Sequence, residues 1–165
     1  MKKQLLLILA LFVPIVALAG GDGYGETLWG MSPAQVVEAE SGRAVLIQPQ
    51  QYKSSWAKVK IDNVQIGGDV YTVNFLFDAS DKLIQTNVVS NEKKNIGIAH
   101  SRFNTLSQLL TQKYGEPQFK NSDSITWKTS GTTIELNKFI IPNVMTQTSI
   151  RYIPNSKIES DTSNL

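Results

Sequence analysis

The spacing of apolar residues limits the possible folds of this chain more than any other feature, and in the middle of the chain it changes to every second position. Between residues 59 and 89 apolar side chains recur at every second position, most clearly at Tyr71, Val73, Phe75 and Phe77. This period places the apolar side chains on one face of a strand. Gly67-Gly68 and the segment 78–81 interrupt the alternation with residues that favour tight turns. The pattern predicts consecutive antiparallel strands with one apolar face.

Two helices are predicted on either side of these strands. Ser32, Pro33 and Gln35 form the pattern of an N-cap, a proline at the first helical position and a capping box, and Ser41-Gly42 ends the helix after about nine residues. The second helix covers about residues 98–114 and is ended by Gly115 and Pro117. Its apolar stripe consists of Ala99, Phe103, Leu106, Leu110 and Tyr114.

Alternation returns after the second helix, at Ile125 and Trp127, at Ile134 and Leu136, and at Ile150 and Tyr152. The order is therefore helix then three strands, repeated twice, which has the layout of a structural duplication. It predicts an α+β fold in which an antiparallel sheet packs one face on two helices. The predicted domain covers residues 29–154, after a flexible glycine-rich lead-in at 20–28 and before a disordered polar tail at 155–165.

The first 19 residues have the pattern of a secretory signal peptide. Lys2-Lys3 precedes an apolar run that is shorter than a membrane span, and Ala17-Leu18-Ala19 predicts cleavage before Gly20. The expected destination is the periplasm or the medium, with no stable membrane anchor after cleavage. Because residues 1–19 contain two of the 16 basic residues and none of the 14 acidic ones, the mature chain has 14 of each.

This composition excludes several classes of function. A balanced charge argues against a nucleic-acid partner, since phosphate binding needs clustered basic residues. The chain has no cysteine, so disulfides, thiolate metal sites and cysteine nucleophiles are excluded, and a single histidine allows no pair of histidine ligands. We expect no cofactor, no metal and no catalytic residue. His100 lacks the surrounding signature of a catalytic triad, and a surface or capping role is favoured.

Three motifs carry a resemblance to a known group of proteins. They are the segment Trp29-Gly30-Met31-Ser32-Pro33, the hairpin from Phe75 to Leu83, and the helix end Lys113-Tyr114-Gly115-Glu116-Pro117. This pattern resembles small exported bacterial proteins of unknown function, and is more distantly similar to β-lactamase-inhibitor-protein-like and BamE-like modules. The resemblance implies a helix-plus-sheet fold and a tendency to bind proteins. It transfers no catalytic residue, and the lipid-bearing cysteine of the BamE-like pattern is missing.

The irregular segment 43–56 is the candidate partner-binding site. Gln51, Tyr52, Lys53 and Trp56 could form a recognition loop, since tyrosine and tryptophan are enriched at the energetic centres of interfaces. In the alternative, residues 45–47 form a further strand that ends at Pro49, and Trp56 covers the core. The sequence leaves both open.

The function predicted from these observations is that of an exported, non-enzymatic protein-binding module. Its most specific form is an inhibitor or immunity-type protein that acts on a periplasmic enzyme or toxin. The alternative is an accessory factor of envelope assembly that binds an outer-membrane or cell-wall component. A hydrolase that uses a pair of acidic residues from distant segments is the third hypothesis. The sequence does not indicate an oligomeric state.

Overall fold

The computed structural model describes residues 22–91 and 95–162, with side chains described up to residue 159. The predicted signal peptide and its cleavage site lie outside the described residues. The elements, in chain order, are α1 (Pro33–Ala39), β1 (Val45–Tyr52), β2 (Ser55–Ile66), β3 (Asp69–Phe77), β4 (Leu83–Ser90), α2 (Ile96–Tyr114), β5 (Phe119–Lys120), β6 (Ser124–Lys128), β7 (Thr132–Ile141), β8 (Met145–Pro154) and α3 (Asn155–Thr162).

All the described strands join one antiparallel sheet of eight strands, in the order β1-β2-β3-β4-β8-β7-β6-β5. Strands β1 to β4 follow one another in chain order from one edge of the sheet to its centre, and β5 to β8 do so from the other edge. The two groups meet where β4 pairs with β8, through registers such as Asn87 with Arg151 and Val88 with Ile150. This central pairing joins segments that are about 60 residues apart in sequence, and it is the step of the topology that local turn signals do not specify.

The predicted fold class is wrong. The described molecule is mostly a single eight-stranded sheet with few helices. It lacks the repeat of a helix with three strands, and because only α2 is long, the helices do not make up the predicted two-helix layer. Four strands follow α1 and four follow α2. The predicted repeat did not count β1, which contains Pro49 and a bulge and was left as an open alternative, and it omitted β5, which has only two residues.

The two-helix layer fails for a physical reason. Helix α1 has only seven residues and buries only Val36, so it is too small to cover its half of the sheet. The chain before α1 supplies much of the missing cover. Tyr24 packs edge-to-face on Phe75 and Tyr152, with ring centroids 6.1 and 5.4 Å apart, and the indole nitrogen of Trp29 donates a hydrogen bond to the Thr132 hydroxyl at 2.9 Å. The segment predicted as a flexible lead-in therefore holds an aromatic ring of the core.

The main core lies on the face of the sheet that α2 covers, which we call the core face. Apolar side chains from strands β2 to β4 and β6 to β8 form one cluster with the buried stripe of α2. The largest of these fully buried side chains are Trp127, Tyr71, Phe75 and Phe77. The alternation in the sequence predicted this face, because each of these residues belongs to an apolar set at period two.

Local helix signals were predicted well. The capping box of Ser32 and Gln35 is present at the start of α1. Helix α2 ends at Tyr114 as predicted and begins two residues earlier than expected, where the Asn95 side chain accepts a hydrogen bond from the Ile98 amide. Helix α3 covers most of the segment for which a disordered tail was predicted. No helix in the described ranges is both long and apolar enough to cross a lipid bilayer.

Candidate functional site

The face of the sheet opposite α2, which we call the open face, is the candidate functional site. Among the described elements, α1 and α2 pack against the core face, and α3 contacts β8 at one end of the sheet. The strand registers bring one residue from each of the eight strands into a single row across the open face. In order from edge to edge, this row is Val45, Lys60, Asn74, Asn87, Arg151, Glu135, Thr126 and Phe119.

The middle of this row is polar, and side-chain contacts between strands and along single strands hold several of its residues. An Nη1 nitrogen of Arg151 lies 3.1 Å from Glu135, and its Nη2 donates a long hydrogen bond of 3.5 Å to the amide oxygen of Gln85. The Gln85 amide in turn donates to the Asn87 side-chain oxygen at 2.7 Å. On the other side of the row, Lys60 forms an ion pair of 2.6 Å with Asp62. These contacts fix the orientation of side chains that are only partly buried.

Two adjoining depressions lie on the open face. The first has a volume of about 510 Å³, and we call it the amide depression. It contains the Lys60–Asp62 ion pair and the guanidinium of Arg151, which is paired with Glu135 outside the depression. Its remaining lining is rich in side-chain amides, from Gln50, Asn74, Asn87, Asn91 and Gln147.

The second depression has a volume of about 530 Å³ and lies between the β1–β2 turn and α3. We call it the basic depression, because its lining includes Lys53, Arg151 and Lys157 and no acidic residue of the described chain. Leu76 and Ile84 supply apolar surface, while Ser54 and Ser55 supply hydroxyls. Tyr52, Asn87 and Arg151 line both depressions, which therefore form one continuous surface.

The structure separates the four residues predicted to bind a partner. They lie on a β hairpin rather than on a loop, since β1 continues through Pro49 to Tyr52 and turns at Lys53-Ser54 into β2. Tyr52 lines both depressions of the open face, and Lys53 lines the basic depression from the turn.

Gln51 and Trp56 are paired with each other in the register of β1 and β2, and Trp56 is also paired with the buried Phe77. Neither lines a depression of the open face. Trp56 is half-buried beside Pro49 and Ala79 at the other side of the strand. Of the two alternatives for this segment, the structure has the additional strand, but the strand extends three residues beyond the proline at which it was expected to end.

Sequence reasoning missed the central residues of the open face. Asn74 and Arg151 stand between apolar neighbours, and Asn87 stands between Thr86 and Val88. The alternating pattern assigns such positions to the solvent side of a strand. Their assembly depends on the pairing of β4 with β8. The only local signal was the unusual number of amides in the strands, which polar exposed strands also show.

His100, which the sequence did not favour as a catalytic residue, lies in a cluster with Lys138. His100 contacts the Lys138 ammonium through Nδ1 at 3.0 Å, and the same ammonium donates to the Ser122 carbonyl at 2.9 Å and lies 3.2 Å from Asp123. The hydrogen bond from Ser122 and the contact with Lys138 lower the pKa of Asp123. This cluster ties α2 to β7. Within the described residues, no three acidic or histidine side chains converge as metal ligands would.

Comparisons with known proteins add no relative, since no family model, curated protein or solved structure matches the chain. The resemblance noted from the sequence motifs therefore stays a prediction. The fold and the site together define a single antiparallel sheet of eight strands that has one apolar, covered face and one polar face with two depressions. That polar face is the candidate surface for a function.

Proposed function

We propose that this chain is an exported, non-enzymatic binding protein that captures a partner protein on the open face of its sheet. Its most specific form is an inhibitor or immunity-type protein that occupies a periplasmic enzyme or toxin. The observation that carries the proposal is the polar row from Lys60 to Glu135, on a face that no described helix covers. In this row Arg151 contacts Glu135 across strands, while Lys60 and Asn87 are held by Asp62 and Gln85 of their own strands. Preorganised polar groups lose little conformational entropy when a partner binds.

The size of the open face supports a protein rather than a small molecule as the partner. Eight strands spaced about 4.8 Å apart make the sheet roughly 34 Å wide, and strands of nine or ten residues are about 30 Å long. The resulting area is on the order of 1,000 Å², similar to the roughly 800 Å² that each partner contributes to a stable protein interface. Tyr52 and Arg151 provide the residue types that most often dominate binding energy.

An affinity experiment tests this function. The wild-type protein, Asn74→Arg and Gln112→Arg would each be immobilised and exposed to native periplasmic extract, and the captured protein would be assayed for enzymatic or toxic activity. Asn74 is at the centre of the open face, so the larger charged side chain should block docking. Gln112 is exposed on α2 and serves as the matched control with the same change of residue type.

We expect the wild type and Gln112→Arg to retain one stoichiometric protein whose activity falls on binding, and Asn74→Arg to lose it. Capture that is equal for all three baits would exclude the open face as the docking surface. Release of product from envelope glycans by the purified wild type would instead support the third hypothesis, an acid-pair hydrolase. The row itself contains Glu135, and Asp62 contacts its Lys60. Each of these two acidic residues is held in an ion pair.

The amide depression favours a second candidate function, an accessory factor that binds a cell-wall component. Side-chain amides donate and accept hydrogen bonds and suit the hydroxyls of a glycan. Sedimentation of the protein with purified cell-wall sacculi distinguishes the two functions. Loss of co-sedimentation in Asn87→Leu, with unchanged binding of Gln112→Leu, would support the accessory role, whereas no co-sedimentation of the wild type would exclude it.

A further inference from the structure

The β7–β8 hairpin projects beyond its neighbours in the sheet. Strand β6 pairs with it only as far as Asn137, and β4 pairs with it only as far as Ser149. Residues 138–148, which include the turn, therefore extend past both neighbouring strands, and we call them the hairpin tip. The start of α2 holds the tip in place, since the Thr148 hydroxyl donates a hydrogen bond to the Ala99 carbonyl at 3.2 Å.

Exposed apolar side chains gather at the hairpin tip. The exposed fractions are 51 % for Phe139, 39 % for Ile141 and 69 % for Val144. Ile96, at the start of α2, is 42 % exposed. Together these four side chains, which we call the tip patch, expose roughly 400 Å² of apolar surface. The largest apolar patch on a typical monomer is about 300–600 Å² and is often an interaction site.

The tip patch is complementary in shape to itself. Ile96, Ile141 and Val144 line a depression of about 240 Å³, together with Asn143, Met145 and Thr146. Phe139 lies two positions before Ile141 on β7, and therefore on the same face of the strand. In a dimer with a two-fold axis every contact occurs twice, so Phe139 of each copy can fill the depression of the other.

The charge of the hairpin also favours a second copy of the chain. Residues 139–150 contain no charged side chain. On one side of this segment, Lys138 lies 3.2 Å from Asp123. On the other side, Arg151 lies 3.1 Å from Glu135. A two-fold axis sets identical segments against each other, and like charges in such a contact would repel. An uncharged segment avoids this repulsion.

The area of the tip patch is close to what a dimer needs. A stable interface buries about 800 Å² on each partner, of which about 56–65 % is apolar. That share corresponds to roughly 450–520 Å² of apolar surface on each copy. The tip patch supplies most of this area, so we expect a reversible dimer.

We propose that two copies of this chain associate about a two-fold axis through the tip patch, with Phe139 of each copy in the depression of the other. This inference does not rest on the proposed function. Phe139 lies four residues along β7 from Glu135, a distance of about 13 Å, so the tip patch is separate from the centre of the polar row. Dimerisation and capture of a partner can therefore be tested independently.

Sedimentation equilibrium of the mature protein tests the proposal. We expect the average mass to rise from the monomer to the dimer value over roughly 1–100 µM, the weak end of affinities for such interfaces. Phe139→Glu/Val144→Glu sets like charges against each other, and we expect association to weaken at least about tenfold. Val45→Glu/Leu46→Glu, the matched control, makes the same charge change at two exposed apolar residues of β1 and should weaken association less than about twofold.

Mixing variants of opposite charge tests whether the occupant is a second copy. Phe139→Glu/Val144→Glu and Phe139→Lys/Val144→Lys should each be monomeric, and their equimolar mixture should form a dimer, because the charge at Phe139 then meets the opposite charge at Val144. Unfolding curves in urea check that each variant is folded. Because Val144 is in the turn and mostly exposed, Val144→Glu and Val144→Lys repeat the experiment if a double variant does not fold.

Several results would overturn the inference. These are a mixture that stays monomeric, equal weakening by the tip variant and the β1 control, and a wild type that stays monomeric up to about 100 µM. With a monomeric wild type, loss of binding to phosphatidylethanolamine–phosphatidylglycerol vesicles in Phe139→Glu/Val144→Glu alone would assign the patch to a lipid surface. Loss of capture of the periplasmic protein in that variant would assign the patch to the partner. Asn74→Arg should dimerise like the wild type, so failure of the proposed function would leave the dimer intact.

Discussion

Replacing Tyr24 with alanine should destabilise the protein by about 2–4 kcal/mol, although this residue lies in a segment whose sequence predicts flexibility. The ring is half-buried and makes two edge-to-face contacts, with Phe75 and Tyr152. Each aromatic pair contributes about 0.5–1.5 kcal/mol beyond area burial. Half-burial of the side chain contributes about 1 kcal/mol more, taking half of the value for a fully buried large side chain.

The measurement is urea-induced unfolding at 25 °C, monitored by tryptophan fluorescence. If the variant and the wild type have the same dependence of unfolding free energy on urea concentration, a shift of the midpoint reports a change of stability. Tyr52→Ala is the matched control, because Tyr52 is an exposed tyrosine of the edge strand β1. We expect it to change the free energy of unfolding by less than about 0.5 kcal/mol. A loss for Tyr24→Ala that is no larger than that of the control would refute the argument that the chain before α1 replaces a helix as cover for the core.

Three further predictions follow from single residues. Burial, and to a lesser degree the Asp69 charge, raise the pKa of Tyr71 from the ordinary value of 10 to about 12. Because the hydroxyl ionises more readily in the unfolded chain, the free energy of unfolding should fall as the pH rises from 10 towards 12. In unfolding experiments across this range, Tyr71→Phe should show a smaller fall than the wild type. Lys138→Met should lower the free energy of unfolding by about 1–3 kcal/mol, because the Ser122 carbonyl loses the hydrogen bond that the buried Lys138 ammonium donates. A melting temperature equal to that of the wild type would contradict this. Pro49→Val restores a backbone N–H on the edge strand β1 and should increase concentration-dependent association in light scattering; unchanged scattering would show that the proline does not protect this edge.

The sequence predicted the core face more successfully than the arrangement of the strands. Val73, Phe75 and Trp127 are buried as their period-two spacing indicates, because that spacing alone decides which side chains share a face. The cap of α1 and the end of α2 were also predicted, since both depend on residues within one turn of the helix. Strand β1 was left open, because a proline is expected to end a strand unless the strand lies at an edge, and strand order is not visible locally.

The same reasoning explains why the open face could not be found from the sequence. A polar residue at an alternate position of a strand, such as Asn74 or Asn87, is consistent with any solvent-facing position, and many such residues bind nothing. Arg151 becomes informative only when β8 pairs with β4, which places it beside Asn87 and opposite Glu135 in one row. That pairing depends on contacts between residues about 60 positions apart, so the local alternation that predicts the strands contains no information about it. A polar face of this kind is specified by register, and a single substitution that shifts the β4–β8 register by one residue would remove the row while leaving every strand prediction unchanged.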